Sequence, residues 1–203
     1  MTYLSTVLTE SDMSYVIGEE IVEGDIAMRL IKPINYDTSF LFQEVGNKLL
    51  MVGVVLLPIT VGVEIYRYVV TGTLMFNGLL FLTFFISILF GYIISFYFNM
   101  CFGFLAFWLK NLWGANMLKG SIIKFLSGAI IPIAFLPPVI GNVLTVLPFA
   151  SLTYTPVMIY MDMYTISQTF FFLGLQLFWI LIFFALSKYI WNFAIKRLCI
   201  QGG

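Results

Sequence analysis

Histidine is absent from the 203 residues of the sequence, and cysteine occurs only twice. Without histidine, the chain lacks the most common metal ligand and general base of proteins. Cys101 and Cys199 are too few for the disulfide framework of a small secreted domain. No pair of carboxylates and no nucleophile with a neighbouring base stands out either. These absences argue against a metalloenzyme and give no support to other enzymatic chemistry.

Charged residues are also scarce: they make up 10% of the chain, whereas apolar residues make up 61%. In soluble domains roughly a quarter of the residues are charged, and a soluble fold of this length cannot bury so much apolar surface. The composition therefore predicts an integral membrane protein of all-α fold. The net charge is zero, and there is no basic stripe of the kind that binds nucleic acid.

The charges that are present concentrate near the N-terminus, where residues 1–48 contain eight acids and three bases. We predict that this section is a cytoplasmic and interfacial segment of short amphipathic helices, followed by a transmembrane domain over 49–203. A first helix, Ser14 to Glu23, ends at Gly24. Asp25 caps a second helix, which runs from Ile26 to Lys32 and stops before Pro33. Periodicity leaves two interpretations open: an anchor for the first span, or a docking element for a cytoplasmic partner.

A bilayer core of roughly 30 Å requires about 20 apolar residues of helix. The apolar runs predict four spans, at about residues 49–70, 76–98, 121–137 and 170–191. Segment 138–169 is long enough for a fifth. Lysines and arginines cluster before the first span, between the second and third, and in the C-terminal tail. Placing all three clusters in the cytoplasm requires four spans with both termini inside, and it makes 138–169 an outer re-entrant segment.

Two further features of the apolar region stand out. Glu64 and Arg67 are three residues apart near a span end, a spacing that allows them to pair on one helix face. Prolines and glycines recur through 125–160, which predicts either a substrate gate built from broken helices or an ordinary kinked helix followed by an outer loop.

Three segments carry a family resemblance. The run EEIVEGDIAMRLIKPINY (Glu19 to Tyr36) resembles the cytoplasmic signature of ABC-2-type permeases of a six-span subfamily. FLSGAIIPIAFLP (Phe125 to Pro137) and LPFASLTYTPVMIY (Leu147 to Tyr160) are similar to that family's fifth span and outer re-entrant region, and the closing IQGG is similar to its C-terminus. The family normally has two spans before the glutamate-rich turn. The four predicted spans then correspond to its third to sixth, and we expect an upstream pair to complete the active unit.

The resemblance implies the permease subunit of an ATP-driven exporter in the cell membrane. No G-x-x-x-x-G-K-[ST] phosphate loop is present. We therefore expect no cofactor on this chain, with ATP and Mg²⁺ bound by a separate dimer of ABC ATPase subunits. A second permease subunit, identical or different, would complete the transporter.

The resemblance also implies two sets of functional residues. Those expected to couple to the ATPase are Glu19, Glu20, Gly24, Asp25, Leu30, Lys32 and Pro33. Those expected to form the outer gate are Pro132, Pro137, Pro148, Phe149 and Tyr154. The alternative function is that of a non-transporting membrane scaffold or assembly factor. The substrate is not indicated by any of these segments.

Overall fold

The computed structural model describes residues 2–72, 78–109 and 111–197, and all regular structure in these ranges is helical. Cys199, the closing IQGG and the start of the predicted second span lie outside the described residues. The helices, numbered in chain order, are α1 Thr2–Thr9, α2 Met13–Glu23, α3 Ile26–Leu30, α4 Tyr36–Met51, α5 Leu57–Thr71, α6 Gly78–Gly103, α7 Trp113–Leu126, α8 Pro138–Val146, α9 Tyr154–Tyr160 and α10 Ile166–Ala194.

Three helical stretches within the described ranges are long and apolar enough to cross a membrane. They are Tyr36–Thr71, Gly78–Phe107 and Ile166–Ala194. The predicted all-α membrane fold is therefore confirmed, and these stretches contain the first, second and fourth predicted spans. Lys188 of α10 pairs with Asp37 of α4 at 2.5 Å, close to where α6 ends. We call this end of the molecule the charged end.

The first spanning stretch begins well before the predicted residue 49, because α4 and α5 form one helix. They are joined by a π-helical turn at Val52–Leu56. Pro58 follows this turn directly, and a proline ring clashes with the carbonyl four residues earlier in a regular α-helix. The wider π turn accommodates that proline without ending the helix. The helix that begins at Tyr36 therefore continues without a break through the predicted first span.

The predicted third span over 121–137 is wrong as a single helix, since α7 ends at Leu126. Gly128 adopts a left-handed backbone with φ 78°, which glycine tolerates and other residues rarely adopt. Pro132 then begins a short 3₁₀ turn at Ile133–Phe135. These two residues prevent the helix from continuing to Pro137.

The chain instead returns along α6 in two short helices, α7 and α9. In α7, Ile123 packs in a cluster with Ile94 of α6 and Leu152. Helix α9 then continues toward the end opposite the charged end, where Tyr160 packs against Phe84 with ring centroids 5.2 Å apart. Together α7 and α9 follow α6 along most of its length, while α8 forms an excursion between them.

The N-terminal helices lie along α6, which is a second difference from the prediction. A Cβ added at Gly91 of α6 would lie 2.7 Å from the carbonyl oxygen of Ser151 and 3.1 Å from Cγ2 of Thr9. At Gly103 it would lie 2.9 Å from Cβ of Ile17. Helix α2 therefore packs closely on the last turns of α6 rather than lying apart on the membrane surface.

Polar side chains link the packed helices within the apolar interior. Gln176 of α10 donates from Nε2 to the carbonyl oxygens of Ser87 and Ser151, at 3.2 and 3.1 Å. The predicted pairing of Glu64 with Arg67 is confirmed at 3.4 Å. Tyr160 of α9 also donates to Glu64, at 2.8 Å. Because the other oxygen of Glu64 has no hydrogen-bond partner among the described residues, this buried carboxylate depends on the pair for compensation.

Candidate functional site

The glutamate-rich turn forms a sharp bend at the charged end, which we call the elbow (residues 19–36). Helix α2 ends at Gly24, whose left-handed backbone (φ 88°) reverses the chain before α3. Helix α3 has only five residues, and Pro33 follows it closely. Glycine and proline thus lie on either side of α3 within the elbow, as the sequence predicts.

Arg29 holds the elbow together. Its guanidinium donates through Nε to Glu20 of α2 at 2.9 Å, and through a second nitrogen to the other oxygen of the same carboxylate. It also donates to Ser39 of α4 at 3.1 Å and lies 3.8 Å from the ring centroid of Phe40. This bidentate, stacked arrangement is one that arginine makes and lysine does not. Arg29 was not among the predicted coupling residues, although its place between Glu20 and the first span could have indicated it.

The predicted coupling residues divide into two groups. Glu19, Gly24, Asp25, Lys32 and Pro33 are exposed. Glu20 is half-buried because it is bound by Arg29, and Leu30 is half-buried because it packs against the core cluster that contains Phe40 and Phe104. Leu30 therefore faces inward and offers little surface to a partner.

Four apolar side chains face outward on the elbow instead, and we call them the elbow patch: Val22, Met28, Ile31 and Ile34. Met28 and Ile31 are 69% and 77% exposed. They lie among the exposed charges of Glu19, Glu23 and Lys32, in a section too polar to be embedded in lipid. Exposed apolar side chains among exposed charges are typical of surfaces that bind another protein or a membrane. The sequence analysis missed this patch because apolar residues that alternate with charged ones were interpreted as the buried faces of amphipathic helices.

Asp25 precedes α3 but makes no capping hydrogen bond, and its backbone is already helical. The predicted cap is therefore wrong. In addition, α3 ends at Leu30, so Lys32 lies beyond its last turn.

We expect Asp25→Ala to change the melting temperature of the purified chain very little. Removing a helix cap typically costs about 1 kcal/mol because a capping hydrogen bond is lost, and Asp25 makes no such bond. A drop comparable to that of a core substitution, measured by thermal unfolding in detergent, would contradict this assignment.

The predicted gate residues surround the break between α7 and α9. Pro132 and Pro137 flank the Ile133–Phe135 turn, and Tyr154 packs against the small cluster formed by Ile133, Leu144 and Ala150. Phe149, which follows Pro148, meets Phe98 of α6 at 5.4 Å between ring centroids. The ring of Phe149 therefore lies beside the half of α6 nearer the charged end.

A polar cleft lies beside α6, between the α1–α2 connection and α7. Its volume is about 260 Å³. Polar side chains from five segments line it, including Thr9, Asp12, Ser95, Asn116 and Thr153. Along α6 its lining runs from Asn99 to Ser95, and Leu152 and Thr153 also line it. The sequence analysis missed this cleft because each segment contributes only one or a few polar residues.

Lys119 of α7 is the most unusual group in the cleft. Its ammonium group donates to Oδ1 of Asn99 at 2.5 Å and to the hydroxyl of Ser14. It also lies 4.7 Å from the ring centroid of Phe102. Burial lowers the pKa of Lys119 from 10.5 to about 8, although the charge of Asp12 acts in the opposite direction. A second ion pair, Lys124 with Glu10 at 3.5 Å, lies at the exposed margin of the cleft.

Within the described ranges, no group of three or more histidine, cysteine or carboxylate side chains is arranged to hold a metal ion. The two features that could carry function are therefore the elbow patch and the polar cleft. The first is suited to contact with another protein, and the second to contact with a small polar molecule.

Comparison with known proteins identifies the family. No curated protein and no solved structure shows significant similarity to the chain. A family described as "ABC-2 family transporter protein" matches residues 1–202, which is nearly the whole sequence. Because the match covers both the elbow and the cleft, the chain belongs to the ABC-2 family of transporter proteins.

Proposed function

We propose that the chain is the membrane-spanning permease subunit of an ATP-driven exporter and that the elbow patch docks an ATPase carried on a separate chain. Membership of the family supports a permease. The observation that carries the docking proposal is the exposure of Met28 and Ile31 in a charged section outside the spanning helices. In this arrangement the charged end, with the last turns of α10, faces the cytoplasm, where ATP is available, whereas α1 packs beside Phe84 and Tyr160, nearer the opposite end.

The contacts of the elbow suggest how force would pass into the membrane. Arg29 joins α3 to Glu20 of α2 and to Ser39 of α4. Helix α2 in turn packs on α6 through the close approach of Ile17 to Gly103. A displacement of the elbow by the ATPase would therefore move α4 and α6 together. Rigid-body motion of this kind is a common way to switch access to a pathway.

A second permease subunit would cover part of the remaining apolar surface. In the most apolar windows of Tyr36–Thr71 and of Ile166–Ala194, only 17% of residues are buried, against 50% for Gly78–Phe107. These two helices therefore present most of their surface to lipid or to another subunit. Helix α6, by contrast, is the centre of the fold.

The docking proposal is tested with Met28→Asp and Ile31→Asp in the tagged full chain, purified in mild detergent from membranes of its source cells. The wild-type eluate should hydrolyse ATP, and the retained ATPase should contain the phosphate-loop motif that this chain lacks. Each variant should lower the ATPase activity per permease at least about tenfold, since burying a carboxylate in an apolar contact is costly. The amount of permease recovered should not change, because both side chains are exposed.

Thr38→Asp is the matched control. Thr38 is exposed in the first turn of α4, beside the elbow but outside the patch. The same charge is introduced there at a helix N-terminus, where it is favourable, so ATPase retention should persist. Equal retention by Met28→Asp and by the wild type would exclude the patch as the docking surface. Absence of any ATPase from the wild-type preparation would favour a scaffold over an exporter.

A further inference from the structure

The polar cleft is lined by a buried side chain, Asn116, whose amide oxygen lacks a hydrogen-bond donor among the described residues. Asn116 of α7 is only 2% exposed and lines the cleft, yet its Oδ1 has no hydrogen-bond partner among the described residues. An unpaired buried amide oxygen is unfavourable, and most such groups in folded proteins are satisfied. The group that would satisfy Oδ1 is a hydrogen-bond donor, such as an ammonium or an amide N–H.

Lys119 lies three residues further along the same helix, so the two side chains occupy the same face of α7. Its ammonium group has three N–H donors, and the bonds to Asn99 and Ser14 use two of them. The third is available for an anionic oxygen. Asn116 and Lys119 thus offer an acceptor and a cationic donor on neighbouring positions of one wall.

The cleft also carries charges of both signs. Asp12 lines it from the α1–α2 side, whereas Lys119 belongs to α7. Glu10 and Lys124 are paired with each other at its margin, and Tyr15 places its ring 5.9 Å from the ammonium of Lys119. The cleft therefore carries both signs of charge on separate walls and has no large excess of either.

We propose that the cleft binds a zwitterionic ligand that carries a primary ammonium and an anionic oxygen group a few ångströms apart. The ammonium donates to Oδ1 of Asn116, and the anionic oxygen accepts from Nζ of Lys119. A free amino acid or short peptide and the headgroup of a phosphatidylethanolamine lipid share this chemistry. The proposal rests on the permease function, of which it names the substrate class.

Ligand protection of Lys119 tests the proposal on the full chain alone, with no ATPase present. The chain is reconstituted in phosphatidylcholine nanodiscs, whose headgroup has a quaternary ammonium without N–H donors. Acetylation of Lys119 by trace acetic anhydride is measured by mass spectrometry relative to Lys32, which is exposed on the elbow. One arm adds glycylglycine or glycerophosphoethanolamine, and a second replaces part of the lipid with phosphatidylethanolamine.

We expect protection of Lys119 in at least one arm: in the first if the ligand is soluble, in the second if it is a lipid. Asn116→Leu should weaken the protection roughly tenfold because it removes the acceptor. Asn116→Asp should retain it, since a carboxylate also accepts from an ammonium. Glycerophosphocholine should not protect.

Three outcomes would overturn the proposal: no protection in either arm, equal protection by the choline compound, or full protection in Asn116→Leu. The result is independent of the elbow experiment. If Met28→Asp leaves ATPase retention unchanged while Lys119 is protected, the cleft remains a ligand site and only the coupling assignment fails.

Discussion

Lys119 should react with acetic anhydride much faster than an ordinary exposed lysine at neutral pH. The neutral amine is the reactive form, and the pKa of Lys119 is lowered from 10.5 to about 8 by burial. At about pH 7 this change raises the neutral fraction roughly a hundredfold or more. Because part of the side chain is accessible to solvent, we expect an observed enhancement of at least about tenfold over Lys32.

The same shift fixes the sign of a pH effect on stability. Between about pH 8 and 10.5 the folded chain binds less of a proton at Lys119 than the unfolded chain does. The contribution of this residue to stability therefore increases as the pH rises through that window. It is unfavourable below pH 8, where both states are fully protonated.

A pH series of competitive acetylation, read by peptide mass spectrometry, gives the pKa of Lys119 directly. The groups that face it are Asp12, Tyr15 and Asn99, with Glu10 and Lys124 at the margin of the cleft. Asn99→Ala removes one acceptor from the ammonium and should lower the pKa of Lys119 further. A titration midpoint close to that of exposed lysines would contradict the burial of this ammonium.

Gly91→Ala should cause the largest loss of fold stability of any single-methyl change in α6. The added Cβ would lie 2.7 Å from the backbone carbonyl oxygen of Ser151 and 3.1 Å from Thr9. Neither neighbour is the free end of a flexible side chain, so either α1 or the segment before α9 must move. Overpacking of this kind typically costs 1–3 kcal/mol, and we expect about the upper end of that range.

Gly174→Ala in α10 is the matched control. An added Cβ meets nothing within 4 Å there, and alanine is a better helix former than glycine by about 1 kcal/mol. Thermal unfolding in one detergent should therefore show a clear decrease in melting temperature for Gly91→Ala and none for Gly174→Ala. Similar melting temperatures for the two variants would mean that Ser151 and Thr9 do not approach Gly91 as described.

Local chemistry made part of this structure predictable. The elbow follows from Gly24 and Pro33, whose backbone preferences act within a few residues. The long apolar runs indicate three spanning helices without reference to the rest of the fold. The pairing of Glu64 with Arg67 required only helical spacing.

The remaining features depend on contacts between distant segments. Gly128 and Pro132 end α7 through local chemistry, but the return of the chain along α6 depends on the approach of Ser151 and Leu152 to Gly91, which has no signal in the local sequence. Leu30 faces the core and Met28 faces solvent. Helix α3 is too short for its hydrophobic periodicity to predict which of the two is buried. The cleft brings Ser14, Asn99 and Lys119 together from three separate helices.

The π turn at Val52–Leu56 has a consequence for the register of the first spanning helix. The residues that this helix buries include Phe40, Glu44, Leu56, Thr60 and Glu64. These residues are spaced by multiples of four. In a regular α-helix, residues four apart are offset by about 40° around the helix axis, so the buried stripe would rotate away from α6 and α9 along the helix. The wider turn unwinds part of that rotation. The number of residues between the elbow and Glu64 therefore determines which direction Glu64 faces. Removal of one residue would rotate the rest of the helix by about 100° and turn the carboxylate of Glu64 away from Tyr160.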